Sequence, residues 1–132
     1  MKHLTILIPE GPLNLASIIG TYMVFSRADV FWQQSGHDPV FKVEIAGASR
    51  EIDLYSGMFA IRPGVDLSSI KKTDLVIIPA LQPGVNYTDS IRLNKGVIGW
   101  IAEQYKNGAE IASICTGAFL LASTGLMKVA EE

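Results

Sequence analysis

The sequence predicts an α/β fold, a three-layer sandwich in which helices flank a mostly parallel sheet. Residues 4–8 form a continuous apolar run, which is typical of a strand buried on both faces, and residues 74–79 and 110–114 are also predicted to be buried strands. Segments with the apolar spacing of amphipathic helices lie between these runs. Because strands that alternate with helices form parallel sheets, and 132 residues suit one domain, we expect a single α/β domain.

The composition excludes several functional classes. Hydrophobic residues make up 48% of the chain and charged residues 18%, which indicates a globular protein. The net charge of -2 offers no broad basic surface for nucleic acid. One cysteine excludes an internal disulfide, and the amino-terminal apolar run is too short for a signal peptide, so we expect a cytoplasmic protein. The apolar segment 111–127 is interrupted by Ser, Thr and Gly, which favours strand plus helix over a membrane span.

The amino-terminal strand, residues 4–8, is expected to end at the Pro-Glu-Gly-Pro sequence of residues 9–12. A helix follows, with Asn14 as its N-cap and Gly36 beyond its last turn. Its aromatic side chains have near-helical spacing and could mark a partner surface, but such residues usually belong to the core. We therefore predict that three of them are buried: Tyr22, Phe31 and Trp32.

The middle of the chain predicts a strand, a hairpin and a further helix. Residues 41–45 alternate in polarity, and residues 51–61 form two short apolar segments with a turn at Gly57. A loop rich in Pro, Gly and Asn covers residues 80–88. One helix is predicted across residues 90–106, where an Asn-Gly pair closes it.

The only cysteine of the chain lies in a strand–turn–helix segment. The strand at residues 110–114 enters the turn Cys115-Thr116-Gly117, and a helix of small residues follows at 118–123. This arrangement has the shape of a nucleophile elbow. The free N–H groups at the start of the helix also favour a thiolate. The alternative interpretation is that Cys115 is a buried small hydrophobe, as free cysteines commonly are.

Ligands of parallel α/β sheets bind beyond the carboxyl ends of the strands. Three loops are expected to meet at that edge, at residues 9–13, 79–85 and 115–117. They supply the candidate ligand-binding residues, which are Glu10, Ala80, Leu81, Cys115, Thr116 and Gly117.

The elbow sequence 114–122 with Gly125 and Leu126, the helix sequence 18–25 and the strand 74–79 together resemble the ThiJ/PfpI superfamily, which is related to class I glutamine amidotransferases. More narrowly, the chain resembles the amino-terminal domain of AraC-family transcription regulators. The resemblance spans nearly the whole chain. It implies a flavodoxin-like fold with the cysteine turn at the ligand-binding edge.

The chain departs from the superfamily's enzymes at three places. Ser17 stands where the superfamily often has an aspartate, and Ala80 and Leu81 stand where it commonly has glycines that expose backbone N–H groups. The histidine that the resemblance implies on a later strand is not reached before Glu132, so we expect this domain, residues 1–132, to be part of a longer protein.

The two histidines of the chain are not expected to replace the superfamily's histidine. His3 begins the first strand, at the end remote from the predicted ligand edge, and His37 follows the glycine that ends the first helix. Neither has the spacing of a metal ligand with Cys115, so neither a metal nor a cofactor is expected.

These departures favour a non-catalytic domain of an AraC-family regulator that senses an unidentified small molecule and forms a homodimer. DNA would be bound only by a domain absent from this chain, and no membrane is involved. One alternative is an isonitrile hydratase-like hydrolase or hydratase, in which Cys115 is the nucleophile and Glu10 handles the proton. The N–H groups of Thr116 and of residues 80–81 would then stabilise the oxyanion. A redox sensor is the third hypothesis, with Cys115 oxidised to sulfenic acid.

Overall fold

A computed structural model describes residues 1–127 of the chain. It contains a five-stranded parallel sheet and a two-stranded antiparallel hairpin. The strands are β1 (Lys2–Ile8), β2 (Phe41–Gly47), β3 (Ile52–Leu54), β4 (Phe59–Ile61), β5 (Val65–Asp66), β6 (Leu75–Ile78) and β7 (Glu110–Ser113). The helices are α1 (Leu15–Gln34), α2 (Tyr87–Leu93), α3 (Lys95–Lys106) and α4 (Ala118–Ala122). The sheet has the order β5-β2-β1-β6-β7 and is flanked by helices, which confirms the predicted fold class.

β1 is the central strand of the sheet and of the core. It pairs with β2 along seven residues and with β6 on its other side. Five consecutive residues of it have no exposed surface: Leu4, Thr5, Ile6, Leu7 and Ile8. Because successive residues of a strand point to opposite faces, burial of consecutive residues shows that β1 is covered on both faces. Its unbroken apolar run in the sequence therefore marks the middle of the sheet.

The helices bury different amounts of apolar surface. α3 follows the amphipathic pattern and buries Val97 and Ile101, whereas Ile18 is the buried residue of α1. The Asn14 side chain accepts a hydrogen bond from the amide of Ser17, which confirms the predicted N-cap. Within residues 1–127 no helix is both long enough and apolar enough to span a membrane.

The helix predicted at residues 90–106 is two helices, α2 and α3, divided at Asn94. The Asn94 side chain is completely buried and bonds to backbone atoms of Glu10 and to the carbonyl of Ser90. Asparagine competes for backbone hydrogen bonds in this way and so interrupts helices. The continuous helical prediction was therefore wrong at this residue.

The prediction that Tyr22, Phe31 and Trp32 belong to the core is wrong. Their exposed fractions are 41%, 64% and 45%. α1 packs on β1 and β2, while an open groove of about 450 Å³ separates it from the face formed by Ile77 and Ile114. No element of the described chain covers that groove. Trp32 instead stacks on His37, with ring centroids 3.7 Å apart.

A polar network closes the amino-terminal edge of the sheet. His3 donates from Nε2 to the Glu44 carboxylate at 2.8 Å, and its Nδ1 lies 2.7 Å from the hydroxyl of Thr73. The hydrogen bond from His3 holds the pKa of Glu44 below its ordinary value, the positive charge of Lys42 lowers it further, and partial burial opposes both effects. His3 is therefore a structural residue at the end remote from Cys115, as predicted.

Glu44→Gln is expected to lower the free energy of unfolding at neutral pH by about 1 kcal/mol, because the charged acceptor for His3 is lost. The lowered pKa fixes the sign of the pH dependence. The carboxylate stabilises the fold above its ordinary pKa of 4.5, and this contribution disappears as the pH falls through the lower value of the folded state. Urea unfolding at a series of pH values measures the difference.

Wild type and Glu44→Gln should converge in acid. Glu103→Gln removes the same charge from an exposed position of α3 and serves as the control. A difference between wild type and Glu44→Gln that is equally large at neutral and at acidic pH would contradict the electrostatic explanation.

Candidate functional site

Cys115 lies at the apex of the turn between β7 and α4. Its φ of 49° is in the left-handed region, which costs energy for a residue with a side chain. The residues Cys115–Gly117 form one turn of 3₁₀-helix, and the cysteine is exposed. The predicted elbow geometry is therefore present. Exposure excludes the alternative that Cys115 is a buried hydrophobe.

Gly117 lets this turn approach the end of β6. A Cβ atom at residue 117 would lie 2.5 Å from the carbonyl oxygen of Pro79 and 2.8 Å from that of Ile78. The amide of Ile114 donates to the same Ile78 carbonyl at 2.9 Å, and the amide of Gly117 donates to the carbonyl of Ile114. Backbone packing therefore requires glycine at this position, and it makes the turn rigid.

The three loops predicted to meet at the carboxyl edge of the sheet do meet. The amide of Asn14 donates to the carbonyl of Ala80 at 2.9 Å, and the amide of Gln82 donates to that of Pro12 at 3.2 Å. Leu13 and Leu81 form an antiparallel bridge between the first loop and the second. Thr116 connects the cysteine turn to Leu81.

The two loop amides considered as oxyanion donors are already hydrogen-bonded to side chains. The amide of Ala80 donates to Ser17 Oγ at 3.0 Å, and the amide of Leu81 donates to Thr116 Oγ1 at 2.9 Å. Ser17 Oγ in turn donates to the carbonyl of Asn14 at 2.7 Å. Both amides belong to residues that are almost fully buried. The serine that stands in place of the superfamily's aspartate thus holds the loop that follows β6.

Glu10 is engaged with residues on the β2 side of the sheet. Its carboxylate accepts a hydrogen bond from Ser49, which follows β2, and its backbone is held by the buried Asn94. Within residues 1–127 no hydrogen bond reaches the sulfur of Cys115, and no three His, Cys, Asp or Glu side chains are placed to hold a metal ion. Among the described residues, the cysteine turn therefore has a defined shape but no hydrogen-bonded acid–base pair.

An apolar groove next to the cysteine turn was not predicted from the sequence. Small residues of α1 line one side, and Ile77, Ala112 and Ile114 line the other. The signal available in the sequence was the spacing of Ala16, Ser17 and Gly20, which places small side chains on one helical face. Ser17 lies at the junction of this groove with the loop after β6.

Gly117→Ala is expected to lower the free energy of unfolding by about 1–3 kcal/mol, because the added methyl group overlaps two backbone carbonyls that cannot rotate away. Gly99→Ala in α3 is the matched control, since a Cβ there meets nothing within 4 Å. That control should be neutral or stabilising by up to about 1 kcal/mol. Urea titration followed by circular dichroism measures both. Equal stability of Gly117→Ala and wild type would contradict the close approach.

Thr116→Val is expected to lower the free energy of unfolding by about 1–3 kcal/mol, because the buried amide of Leu81 loses its acceptor. Thr116→Ser keeps the hydroxyl and should retain most of the stability. Amide hydrogen exchange at Leu81 gives a local measurement. Its protection should fall in the valine variant and persist in the serine variant, and unchanged protection in both would show that the bond is unimportant.

Comparisons with known proteins agree with this architecture. Residues 17–131 match the DJ-1/PfpI family. A candidate transcriptional regulator from Vibrio parahaemolyticus has 25% sequence identity and a TM-score of 0.76, over 95% of this chain and 62% of that protein. A ThiJ/PfpI family protein from Pseudomonas syringae has 18% identity and a TM-score of 0.73, over 96% of this chain and 47% of that protein. No curated protein matches the sequence.

An AraC family transcriptional regulator from Pseudomonas putida shares the fold at 15% identity, with a TM-score of 0.62 over 96% of this chain and 62% of that protein. The chain thus spans about half to three fifths of the length of these similar structures. The family match covers most of its length, including the cysteine turn. The chain therefore belongs to the DJ-1/PfpI family.

Proposed function

We propose that this chain is the ligand-sensing and dimerisation domain of a transcription regulator of the AraC type, with a non-catalytic pocket at the Cys115 turn. The observation that carries the proposal is the hydrogen bonding of the amides of Ala80 and Leu81 to Ser17 and Thr116. An oxyanion site needs donors that make no other hydrogen bond and already point to the position where negative charge develops. Here the hydroxyl groups of Ser17 and Thr116 accept hydrogen bonds from both of these amides and hold the loop after β6 in place.

The position of Glu10 supports the same conclusion. General acid–base catalysis requires a titratable group within hydrogen-bond reach of the reacting atoms. The Glu10 carboxylate bonds to Ser49, beyond the end of β2, and Ser17 offers no carboxylate. A sensor requires only a binding pocket, and in this proposal Cys115, Thr116, Gly117, Ala80 and Leu81 would line it.

The similar structures favour a regulatory role over a catalytic one. The Vibrio parahaemolyticus protein, a candidate transcriptional regulator, combines the highest TM-score and the highest identity of the structures described above. The Pseudomonas putida protein is an AraC family regulator with the same fold. Because this chain covers 62% of each of these two proteins, we place the DNA-binding function in a separate segment of a longer gene product.

The exposed face of α1 is the proposed dimer interface. Four apolar residues form one stripe on its outer surface, each between 41% and 51% exposed: Ile19, Tyr22, Met23 and Val30. Exposed helices normally carry polar residues on their outer face, and a helix that is apolar on all sides is normally buried. We therefore infer that another protein surface covers this stripe.

We propose a second copy of this chain as that partner. A twofold contact between two copies of α1 would place apolar stripe on apolar stripe, as a symmetric dimer requires.

A small-molecule screen by thermal unfolding tests the sensing function. Wild type and Cys115→Ala should both be stabilised by the same compounds, and mass spectrometry should recover those compounds unchanged. Thr116→Val should lose the stabilisation, since the pocket wall at Leu81 loosens. A compound that wild type converts and Cys115→Ala does not would overturn the non-catalytic proposal. The absence of any stabilising compound would argue against sensing.

The link to DNA is tested by the gene itself. The coding frame beyond the codon for Glu132 should continue into a basic, helical segment with two helix-turn-helix patterns. A continuation that carries a histidine strand and then a stop codon would favour an enzyme instead.

The dimer is tested by light scattering coupled to size exclusion. We expect wild type to elute with twice the mass of the chain, and Ile19→Asp and Met23→Asp to elute as monomers, because each places a charge on the apolar stripe. Met58→Asp makes the same kind of change at a residue that is 75% exposed in the hairpin turn, and it should stay dimeric. A wild type that remains monomeric across its soluble range would refute the interface.

A further inference from the structure

A second cavity lies away from the cysteine turn. It has a volume of about 600 Å³ and lies where β2 and β5 end. The sheet order places β1 and β6 between these strands and β7, which leads into the Cys115 turn. The residues that matter for its chemistry are Gly47, Ser49, Arg50, Glu51, Arg62 and Asp66.

Gly47 and Pro63, which both line this cavity, pack closely against each other. β2 and β5 pair at Gly47 and Asp66, and a Cβ on Gly47 would lie 2.5 Å from Cγ of Pro63. Glycine therefore lets the Pro63 ring pack against the strand. The segment from Pro63 to Asp66 is held in place before any ligand arrives, which lowers the entropic cost of binding.

Two carboxylates near the cavity are bonded within the protein. Asp66 accepts hydrogen bonds from the hydroxyl and the amide of Ser68, at 2.7 and 2.8 Å. The hydrogen bond from the Ser68 hydroxyl has the larger effect and that from the Ser68 amide the smaller, and both lower the pKa of Asp66 below its ordinary value. Asp66 is therefore a hydrogen-bond acceptor at neutral pH. Glu10 accepts from Ser49 and is likewise engaged.

The guanidinium groups of Arg50 and Arg62 make few hydrogen bonds with the described residues. Arg62 uses its Nε to reach Glu51 at 3.2 Å, and its terminal nitrogens have no hydrogen bond among the described residues. Arg50 forms neither a hydrogen bond nor an ion pair with any of residues 1–127. Arg50 and the terminal nitrogens of Arg62 are therefore free donors, while one carboxylate oxygen each of Asp66 and Glu51 also has no hydrogen bond among the described residues. A guanidinium has five donors and pairs with carboxylate or phosphate in a bidentate manner.

We propose that this cavity binds a small organic anion carrying a carboxylate or a phosphate group, with Arg50 and Arg62 as its ligands. The site is distinct from the Cys115 pocket and does not rest on the function proposed for that pocket. Glu51 competes with the anion for Arg62. Because both arginines are exposed, the binding weakens as the salt concentration rises.

Isothermal titration calorimetry at low ionic strength tests the site with three probes: succinate, inorganic phosphate and the neutral diamide of succinate. Succinate or phosphate should bind, and the diamide should not. Arg50→Ala and Arg62→Ala should each weaken binding about tenfold or more, as expected when a charged hydrogen-bond partner is lost. Arg92→Ala removes an exposed arginine from α2 and should leave binding unchanged.

The Glu51→Gln variant shows whether a change in anion binding comes from the site itself or from a loss of folding. It frees Arg62 from its ion pair, so anion binding should become tighter in a variant that remains folded by circular dichroism. Preference for succinate or for phosphate identifies which anion the site takes. Absence of binding by both anions, equal binding by the diamide, or equal binding by the two arginine variants and wild type would each overturn the proposal.

Discussion

The candidate site depends on how closely the turn after β7 approaches the end of β6. At Gly117 the backbone lies against the carbonyl groups of Ile78 and Pro79, with no space for a side chain. The amide of Ile114 is bonded to one of these carbonyls, so the two strand ends form one unit. Cys115 must then turn through a left-handed conformation, which exposes its sulfur. The strain at the cysteine is a consequence of this contact and is compensated by the bonds on either side of it.

The polar side chains around the turn complete the unit. Ser17 and Thr116 each accept a hydrogen bond from one amide of the loop after β6, and together they bring α1, that loop and the cysteine turn into one network. Catalytic sites usually leave such donors free for a substrate. In the proposed sensor, the same network would hold the loop after β6 in a fixed position.

The sequence predicted the parts of the fold that depend on continuous burial, and it failed where tertiary contacts decide. The apolar runs identified β1 and β6, and the Cys-Thr-Gly sequence identified the turn. The segment 110–114 was correctly predicted as a strand, but the expectation that it is buried was wrong, because the residues of β7 are exposed or half-buried. The division of the helix at Asn94 depends on a bond to Glu10, which is 84 residues away. The exposure of Tyr22 and Phe31 depends on which elements cover α1, and helical spacing does not contain that information. The bonding of Ser17 to Ala80 is equally invisible before the loops are brought together.

β7 is at the edge of the sheet, where only β6 holds it among the described strands. A strand that is paired along one side can slide, and a shift by one residue exchanges its two faces. Such a slip would exchange the sides of the sheet on which Ile111 and Ala112 lie and would move the cysteine relative to Leu81. The bond between Thr116 and the Leu81 amide opposes this motion. Thr116 therefore helps to fix the strand register, together with the four residue pairs of β6 and β7 and the bond from Ile114 to Ile78.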